Sequence, residues 1–328
     1  MPTPAHGVAV PRPELAILAK EHADVSAHNG YVGLAIMPIW EAVEQSAEFP
    51  YIPLKEMFKD RSTRRAPRSG YSRGDYKFDF KSYSCAEDGT EEPIDDRERK
   101  LYKKHLDADE VATERATGVL LRNHEIRVQK QVQNSNNAPG KSAIKVTWND
   151  RDNSNPREDV KQAKREMLLK YGLRANAIVL SYEQFYNVLE CKDLKERLSI
   201  EVSLFLKPID VQKHIVAKYL DIENVLIGDA IKDEAPKGKD FKGGTIWSDD
   251  TAHLMRLSNG GKDLTEPCWG RTFVWEEDGG WYTMESYREE AIRSDVFRIR
   301  QSTGEEIIFK AANWQLEGIN ADVTAGAD

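Results

Sequence analysis

FPYIPLKEMFKDRSTRRAPRSGYSRGDYKFDFKSY, residues 49–83, divides into two arms around a basic centre. The ascending arm belongs to residues 41–57, which alternate imperfectly through Val43, Phe49, Tyr51, Ile52 and Leu54. Pro50 and Pro53 stand inside it, and a proline cannot donate to a sheet ladder, so this strand is an edge or an isolated ribbon. The descending arm alternates cleanly: Tyr76, Phe78 and Phe80 against Lys77, Asp79 and Lys81, the period-two pattern of a half-buried strand. Between them Arg61, Arg64, Arg65, Arg68 and Arg73 fall in thirteen residues without an acid, broken by Pro67 and Gly70. Arms of roughly 15–20 residues would reach about 50–65 Å at ~3.3 Å per residue. An isolated two-stranded ribbon is marginal in water, so this one needs something to lie on.

An acidic run comes directly after it. Residues 87–96 hold Glu87, Asp88, Glu91, Glu92, Asp95 and Asp96 and no base. A basic tip and an acidic segment in one chain suggest complementary contacts between copies; two solvated loops are the plainer alternative. The whole chain has 328 residues, 40% apolar and 31% charged, with a net charge of −8. That length suits roughly two domains of about 150 residues, with a core lean for its size. The acidic balance excludes wrapping nucleic acid through a globally basic surface. No apolar run reaches the ~18 residues of a membrane span, and Met1 to Pro13 lacks the pattern of a secretory signal. Cys85, Cys191 and Cys268 are far apart and odd in number, with no CxxC, so neither a disulfide framework nor a cysteine zinc site is indicated. This composition reads as a reduced, intracellular, soluble protein.

Outward from the ribbon, Tyr31 to Trp40 reads as an extended strand, preceded by an arm with one helix-compatible stretch, Glu14 to Asp24. Asp107 with Glu110 opens a long helix over about 108–132, its stripe Val111, Ala112, Ala116, Val119, Leu120 and Ile126. Lys145 to Trp148 reads as a short strand. Asn155-Pro156 starts a helix that Gly172 ends. Ile178 to Leu180 is a buried strand, and Ser181 with Gln184 forms a capping box. Asp210 caps a further helix, and Asn224 to Gly228 and Ala252 to Leu257 are strands, giving a compact α/β segment over 176–262. Arg271 to Leu316 is strand-rich.

Catalytic patterns fail on context. Gly70-Tyr-Ser72-Arg-Gly74 has the spacing of a nucleophile elbow, but an arginine-rich loop precedes it and a strand comes after it, so no helix stands behind the serine. Gly140-Lys141-Ser142 lacks the first glycine of a phosphate loop, where Ser135 stands, and comes after a helix. His124-Glu125 lacks the second histidine of a zinc helix, since Val128 occupies its place; a solvated or inter-subunit histidine is expected. The acidic run lacks the spacing of a calcium loop. No catalytic, cofactor-binding or metal-binding residue is assigned, and no enzyme is expected.

The order of ribbon, long amphipathic helix, α/β segment and strand-rich return resembles the major capsid proteins of tailed bacteriophages, with the Hong Kong 97-type fold. Phe49 to Arg73 is similar to the family's extended loop, Tyr76 to Glu87 and Pro93 to Asp96 to its descending strand and exit, and Asp107 to Gln133 to its spine helix. Trp148 to Asp159 is similar to the family's lead-in to a second helix. Ala175 to Ser181, Val225 to Gly228, and Ile246-Trp247 with His253 to Met255 are similar to strands of its axial domain. The resemblance implies an α+β fold with an N-terminal arm (1–38), an extended loop (39–90), a peripheral domain (91–174 and 271–328) and an axial domain (175–270). It implies a subunit that assembles as hexamers and pentamers into an icosahedral virion head, built in the host bacterial cytoplasm around double-stranded DNA held without sequence-specific binding. A short arm implies a separate scaffolding protein, with a portal and a decoration protein as further candidate partners and no membrane. An encapsulin-like compartment enclosing cargo enzymes shares the fold and is the alternative. The residues assigned to contacts between subunits are Arg61, Arg64, Arg65, Arg68, Arg73, Glu87, Asp88, Glu91, Glu92, Asp95 and Asp96.

Overall fold

A computed structural model describes residues 9–28, 30–60, 63–71, 73–74, 77–102, 107–198, 208–260 and 263–320. The chain opens with β1 (Val10–Pro11), α1 (Pro13–His28), α2 (Gly33–Ile36) and β2 (Ile39–Ala42). The ribbon is built from β3 (Ser46–Tyr51), α3 (Leu54–Met57) and β4 (Asp79–Ser84), and leads to β5 (Ala86–Asp95), α4 (Asp96–Tyr102) and the long α5 (Ala108–Val132). Next come β6 (Gly140–Ala143), α6 (Pro156–Tyr171), β7 (Ala177–Ser181), α7 (Tyr182–Glu190), α8 (Lys192–Leu198) and α9 (Ile209–Leu220). The remainder is strand: β8 (Asn224–Gly228), β9 (Ile231–Asp233), β10 (Gly243–Thr245), β11 (Thr251–Met255), β12 (Gly270–Trp275), β13 (Thr283–Glu289), β14 (Ser294–Ile307) and β15 (Asn313–Glu317).

Local chemistry sets the long helices. The Asp107 carboxylate accepts the Asp109 N–H at 3.0 Å and starts α5. Ala112, Ala116 and Leu120 bury one stripe of α5 against Leu15, Ala19 and Ala23 of α1. Asn155 caps α6 through the Glu158 N–H at 3.1 Å, Pro156 takes the first helical position, and Gly172 ends the helix at φ 70°. The capping box of α7 closes both ways between Ser181 and Gln184, at 3.0 and 3.3 Å.

Two sheets carry the fold. In the first, β14 pairs with β13 along its first half, with β12 along its second, and with β5 over Ser294–Thr303; β1 and β2 extend the edges. In the second the order is β6-β15-β11-β7-β8, with β6/β15 and β7/β8 parallel and the rest antiparallel. Its strands come from both stretches expected to form separate domains: β6 and β15 from one, β7, β8 and β11 from the other. β7 is buried along its whole length, and one continuous apolar cluster runs from Trp148 and Phe185 through Trp247 to Trp269.

Several elements differ from the sequence reading. Tyr31 to Trp40 is not one strand: residues 33–36 turn into α2 and only 39–42 extend. Lys145 to Trp148 carries no strand, and the strand is 140–143. Pro208, not Asp210, stands at the cap of α9. The acidic run is a paired strand rather than a loop, since each residue from Ala86 to Asp95 has a partner on β14. The ribbon is shorter than expected, with six residues in each paired arm. Pro53 explains that: it has no N–H for a ladder, its φ of −56° suits a helix start, and it opens α3. The described residues between α3 and β4 carry no strand.

Candidate assembly surface

The ribbon has a dry face and a bare face. Register places Phe49 opposite Lys81 and Ala47 opposite Tyr83, and these face the body. Tyr83 stacks on Phe273 at 4.3 Å between centroids, nearly parallel, and Phe49 approaches the same ring at 5.3 Å. Lys81 acts as a strap: its Nζ donates to the carbonyls of Ile307 at 3.0 Å and Ile308 at 2.6 Å. Partial burial holds its pKa below the usual lysine range. At the foot of the ribbon, a side chain on Gly304 would collide with the Ser84 carbonyl oxygen, so only glycine lets the two backbones pass. On the opposite face Pro50 pairs with Phe80, and Phe80 and Phe78 are 64% and 53% exposed. Phe58 and Tyr71 are also exposed in the loop beyond. Phe78 and Phe80, two residues apart on one exposed face, mark an interaction surface.

The tip organises itself. The Ser69 N–H donates to the Ala66 carbonyl at 3.1 Å, closing a turn with Arg68 at φ 65°. Arg65 braces the turn from inside, donating to the Ser69 carbonyl at 2.6 Å and lying 4.6 Å from the Tyr71 ring centre. Arg64, Arg68 and Arg73 are exposed and make no ion pair among the described residues. Arg61 and Ser72 lie outside the described residues.

Four acids of the run 87–96 are brought to arginines of their own chain. Asp88 pairs with Arg127 at 3.0 Å, Glu91 with Arg298 at 2.7 Å, and Glu92 with Arg115 at 3.9 Å. Asp96 takes both Arg288 amino groups at 2.7 Å, which holds its carboxyl below the ordinary range. The Asp95 carboxylate accepts the Arg97 N–H at 2.7 Å, and Glu87 is exposed. The tip and the acidic strand are thus not partners within one chain. Sequence reasoning missed Arg115, Arg127, Arg288 and Arg298; the alternation of Arg298 and Arg300 along β14 was the signal available.

Beneath the ribbon, α5 carries a buried polar junction. Glu125, 1% exposed, accepts the Val32 N–H at 3.1 Å and the Trp247 indole N–H at 2.7 Å on one oxygen and the Gly33 N–H at 2.7 Å on the other. It ties the start of α2, α5 and the segment before β11 to one carboxyl. Burial pushes its pKa up to about 7, against three donors that favour the anion. His124 is likewise buried, not solvated: its Nε2 lies 3.2 Å from Thr272 Oγ1 and 3.7 Å from Glu305, and burial pushes its pKa down to about 4. A Cβ on Gly33 would sit 2.7 Å from Glu125 and 3.1 Å from His124, so the approach of α2 needs glycine.

The rejected motifs are absorbed structurally. Lys141 pairs with Glu317 at 3.0 Å, and Ser142 takes the Trp314 indole N–H at 2.9 Å. Burial pushes the Cys85 and Cys268 thiols up to about 11, far from a reactive thiolate. Among the described residues no group of three His, Cys, Asp or Glu side chains is placed to hold a metal ion, and no helix is long and apolar enough to cross a membrane.

No family model matches the chain, and no curated protein sequence does. Solved structures do match it. A phage-related protein from Bordetella bronchiseptica is similar over 95% of this chain and 98% of its own, at 17% identity and a TM-score of 0.67. The capsid of the cyanophage P-SCSP1u is similar over 87% of each chain, at 10% identity and a TM-score of 0.55. A virus-like particle from Pyrococcus furiosus is similar over 93% of this chain and 98% of its own, at 12% identity and a TM-score of 0.54. Helices and sheets are both present, the matches span most of the chain, and the chain has the α+β Hong Kong 97-type capsid fold.

Proposed function

We propose that this chain is the major capsid protein of a tailed double-stranded DNA phage, assembling as hexamers and pentamers into an icosahedral head. The observation that carries the reading is the ribbon: it is strapped to the body on one face, presents uncovered Phe78 and Phe80 on the other, and leads to an exposed basic tip. A shell subunit needs area rather than a pocket, and shells close through many interfaces of about 1,000–2,000 Å². The whole-length likeness to a cyanophage capsid and a phage-related protein supports the same reading.

In this reading residues 1–38 are the arm, 39–90 the extended loop, 91–174 and 271–328 the peripheral domain, and 175–270 the axial domain. Arg61, Arg64, Arg65, Arg68 and Arg73 meet a neighbouring subunit. Glu87, Asp88, Glu91, Glu92, Asp95 and Asp96 remain contact residues, with Asp88, Glu91, Glu92 and Asp96 already ion-paired to arginines of their own chain. The protein is a non-enzymatic virion component, assembled in the host bacterial cytoplasm with a separate scaffolding protein and a portal, with a decoration protein as a further candidate partner, and it encloses DNA without reading its sequence. Negative-stain microscopy of the expressed chain, alone and with a candidate scaffold, tests this. Closed shells, tubes or capsomer rings are expected; a dispersed monomer at high concentration in both conditions would refute it, and particles filled with a cargo enzyme would point to a compartment instead.

A further inference from the structure

A cleft of about 690 Å³ opens between α6 and α9, on residues the ribbon does not use. Five basic side chains converge on it from separate parts of the chain: Lys164 and Arg165 from α6, Arg174 from the turn after it, Lys218 from α9, and Arg256 from just beyond β11. Only two acids line it, Asp221 and Glu223. Lys164 is already engaged, donating to the Asp221 carboxylate at 2.8 Å and to the Asp221 carbonyl. It thereby neutralises both that acid and the negative C-terminal end of α9. Arg165, Arg174, Lys218 and Arg256 make no ion pair among the described residues.

The backbone beneath Arg256 is fixed on both sides. The Arg256 N–H donates to the Ala312 carbonyl at 2.9 Å, and its carbonyl accepts the Trp269 N–H at 2.9 Å. Arg174 stands two residues beyond the left-handed cap at Gly172. Leu168 and Ile222 supply an apolar wall. Four cations against one remaining acid, Glu223, leave the concavity with an excess of positive charge, and an anion removes the cost of their repulsion. Guanidinium forks match phosphate oxygens in paired hydrogen bonds, and the volume lies in the ~300–1,000 Å³ range of small-ligand sites.

We propose that this cleft binds a phosphate ester of nucleotide size, with Arg165, Arg174, Lys218 and Arg256 on the phosphate and Leu168 and Ile222 against the remainder. A free nucleotide and a nucleic-acid backbone offer the same chemistry. The proposal does not rest on the capsid reading.

Fluorescence anisotropy of the full chain with a labelled DNA duplex, and separately with labelled dATP, between about 50 and about 200 mM salt tests it. Four phosphate contacts give a log–log salt slope of about −3 to −4 with the duplex. The Arg174→Glu, Arg256→Glu variant should weaken binding at least about tenfold and lower the slope by about two. Arg174→Lys with Arg256→Lys, which keeps the charge, should retain most of it. Binding of dATP with displacement of duplex assigns a free nucleotide; binding of the duplex alone assigns a nucleic-acid backbone. Charge-reversed protein that melts like the parent and binds both probes as tightly overturns the proposal, as does parent protein that binds neither. Microscopy of the same samples separates the two readings: shells without cleft-dependent binding sink only this one, and cleft-dependent binding without shells sinks only the other.

Discussion

Glu125 and His124 are neighbours on α5, both buried, and burial moves their pKa values in opposite directions. Glu125 is raised from 4.5 to about 7. Its contribution to stability is therefore present below pH 4.5 and is lost as pH rises through about 7, because the unfolded chain releases its proton first. His124 is lowered from 6.5 to about 4, by burial first and against the pull of Glu305. Its contribution is present above pH 6.5 and is lost as pH falls through about 4, because the unfolded chain takes up a proton that the folded chain refuses. Each slope is about 1.4 kcal/mol per pH unit. Between pH 4.5 and 6.5 they oppose and nearly cancel in the parent protein. Glu125→Gln leaves only the histidine, so stability should rise by roughly 2–3 kcal/mol across that interval relative to the parent. His124→Gln leaves only the carboxyl, so stability should fall by a similar amount. Glu125→Gln also sets an amide N–H against the Gly33 N–H, lowering stability at every pH by about 1–3 kcal/mol. That offset leaves the slope untouched. Urea unfolding of unassembled subunits at half-unit pH intervals measures all three proteins. Parallel curves for the parent and both variants would show that the junction does not titrate as its burial requires.

The ribbon and its tip give further expected outcomes. Arg64→Glu with Arg68→Glu, chosen because Arg65 braces the turn, should block shell formation while circular dichroism and Tm stay those of the parent; normal particles would sink the assignment. Lys81→Met removes the strap to the Ile307 and Ile308 carbonyls, so limited proteolysis within residues 52–78 should speed up several-fold, and an unchanged rate would contradict the role. Gly304→Ala forces a methyl group onto the Ser84 carbonyl and should cost about 1–3 kcal/mol, read as a Tm lower by several degrees; an unchanged Tm would mean that the two backbones separate without penalty.

The sequence by itself was enough wherever the deciding chemistry is local. Asn155-Pro156 and Gly172 bound α6, Ser181 and Gln184 open α7, and Asp107 starts α5, because a cap satisfies orphan backbone groups within one turn of the residue that supplies it. The alternation of Phe78 and Phe80 against Asp79 and Lys81 announced an arm of the ribbon, although burial falls on the opposite parity from a simple apolar-in reading: Lys81 and Tyr83 face the body and the phenylalanines face out. Tertiary structure alone decided the rest. Tyr31 to Trp40 has the composition of a strand, yet the Val32 and Gly33 N–H groups are taken by a carboxyl about ninety residues away, and the backbone turns into α2 to reach it. Asp88, Glu91 and Asp96 look unpaired in sequence because Arg127, Arg298 and Arg288 stand far from them along the chain and meet them only in the folded molecule. Charge and periodicity are properties of neighbouring residues; which cation faces which anion, and which buried carboxyl collects which amide, depends on contacts between distant segments that form only in the folded molecule.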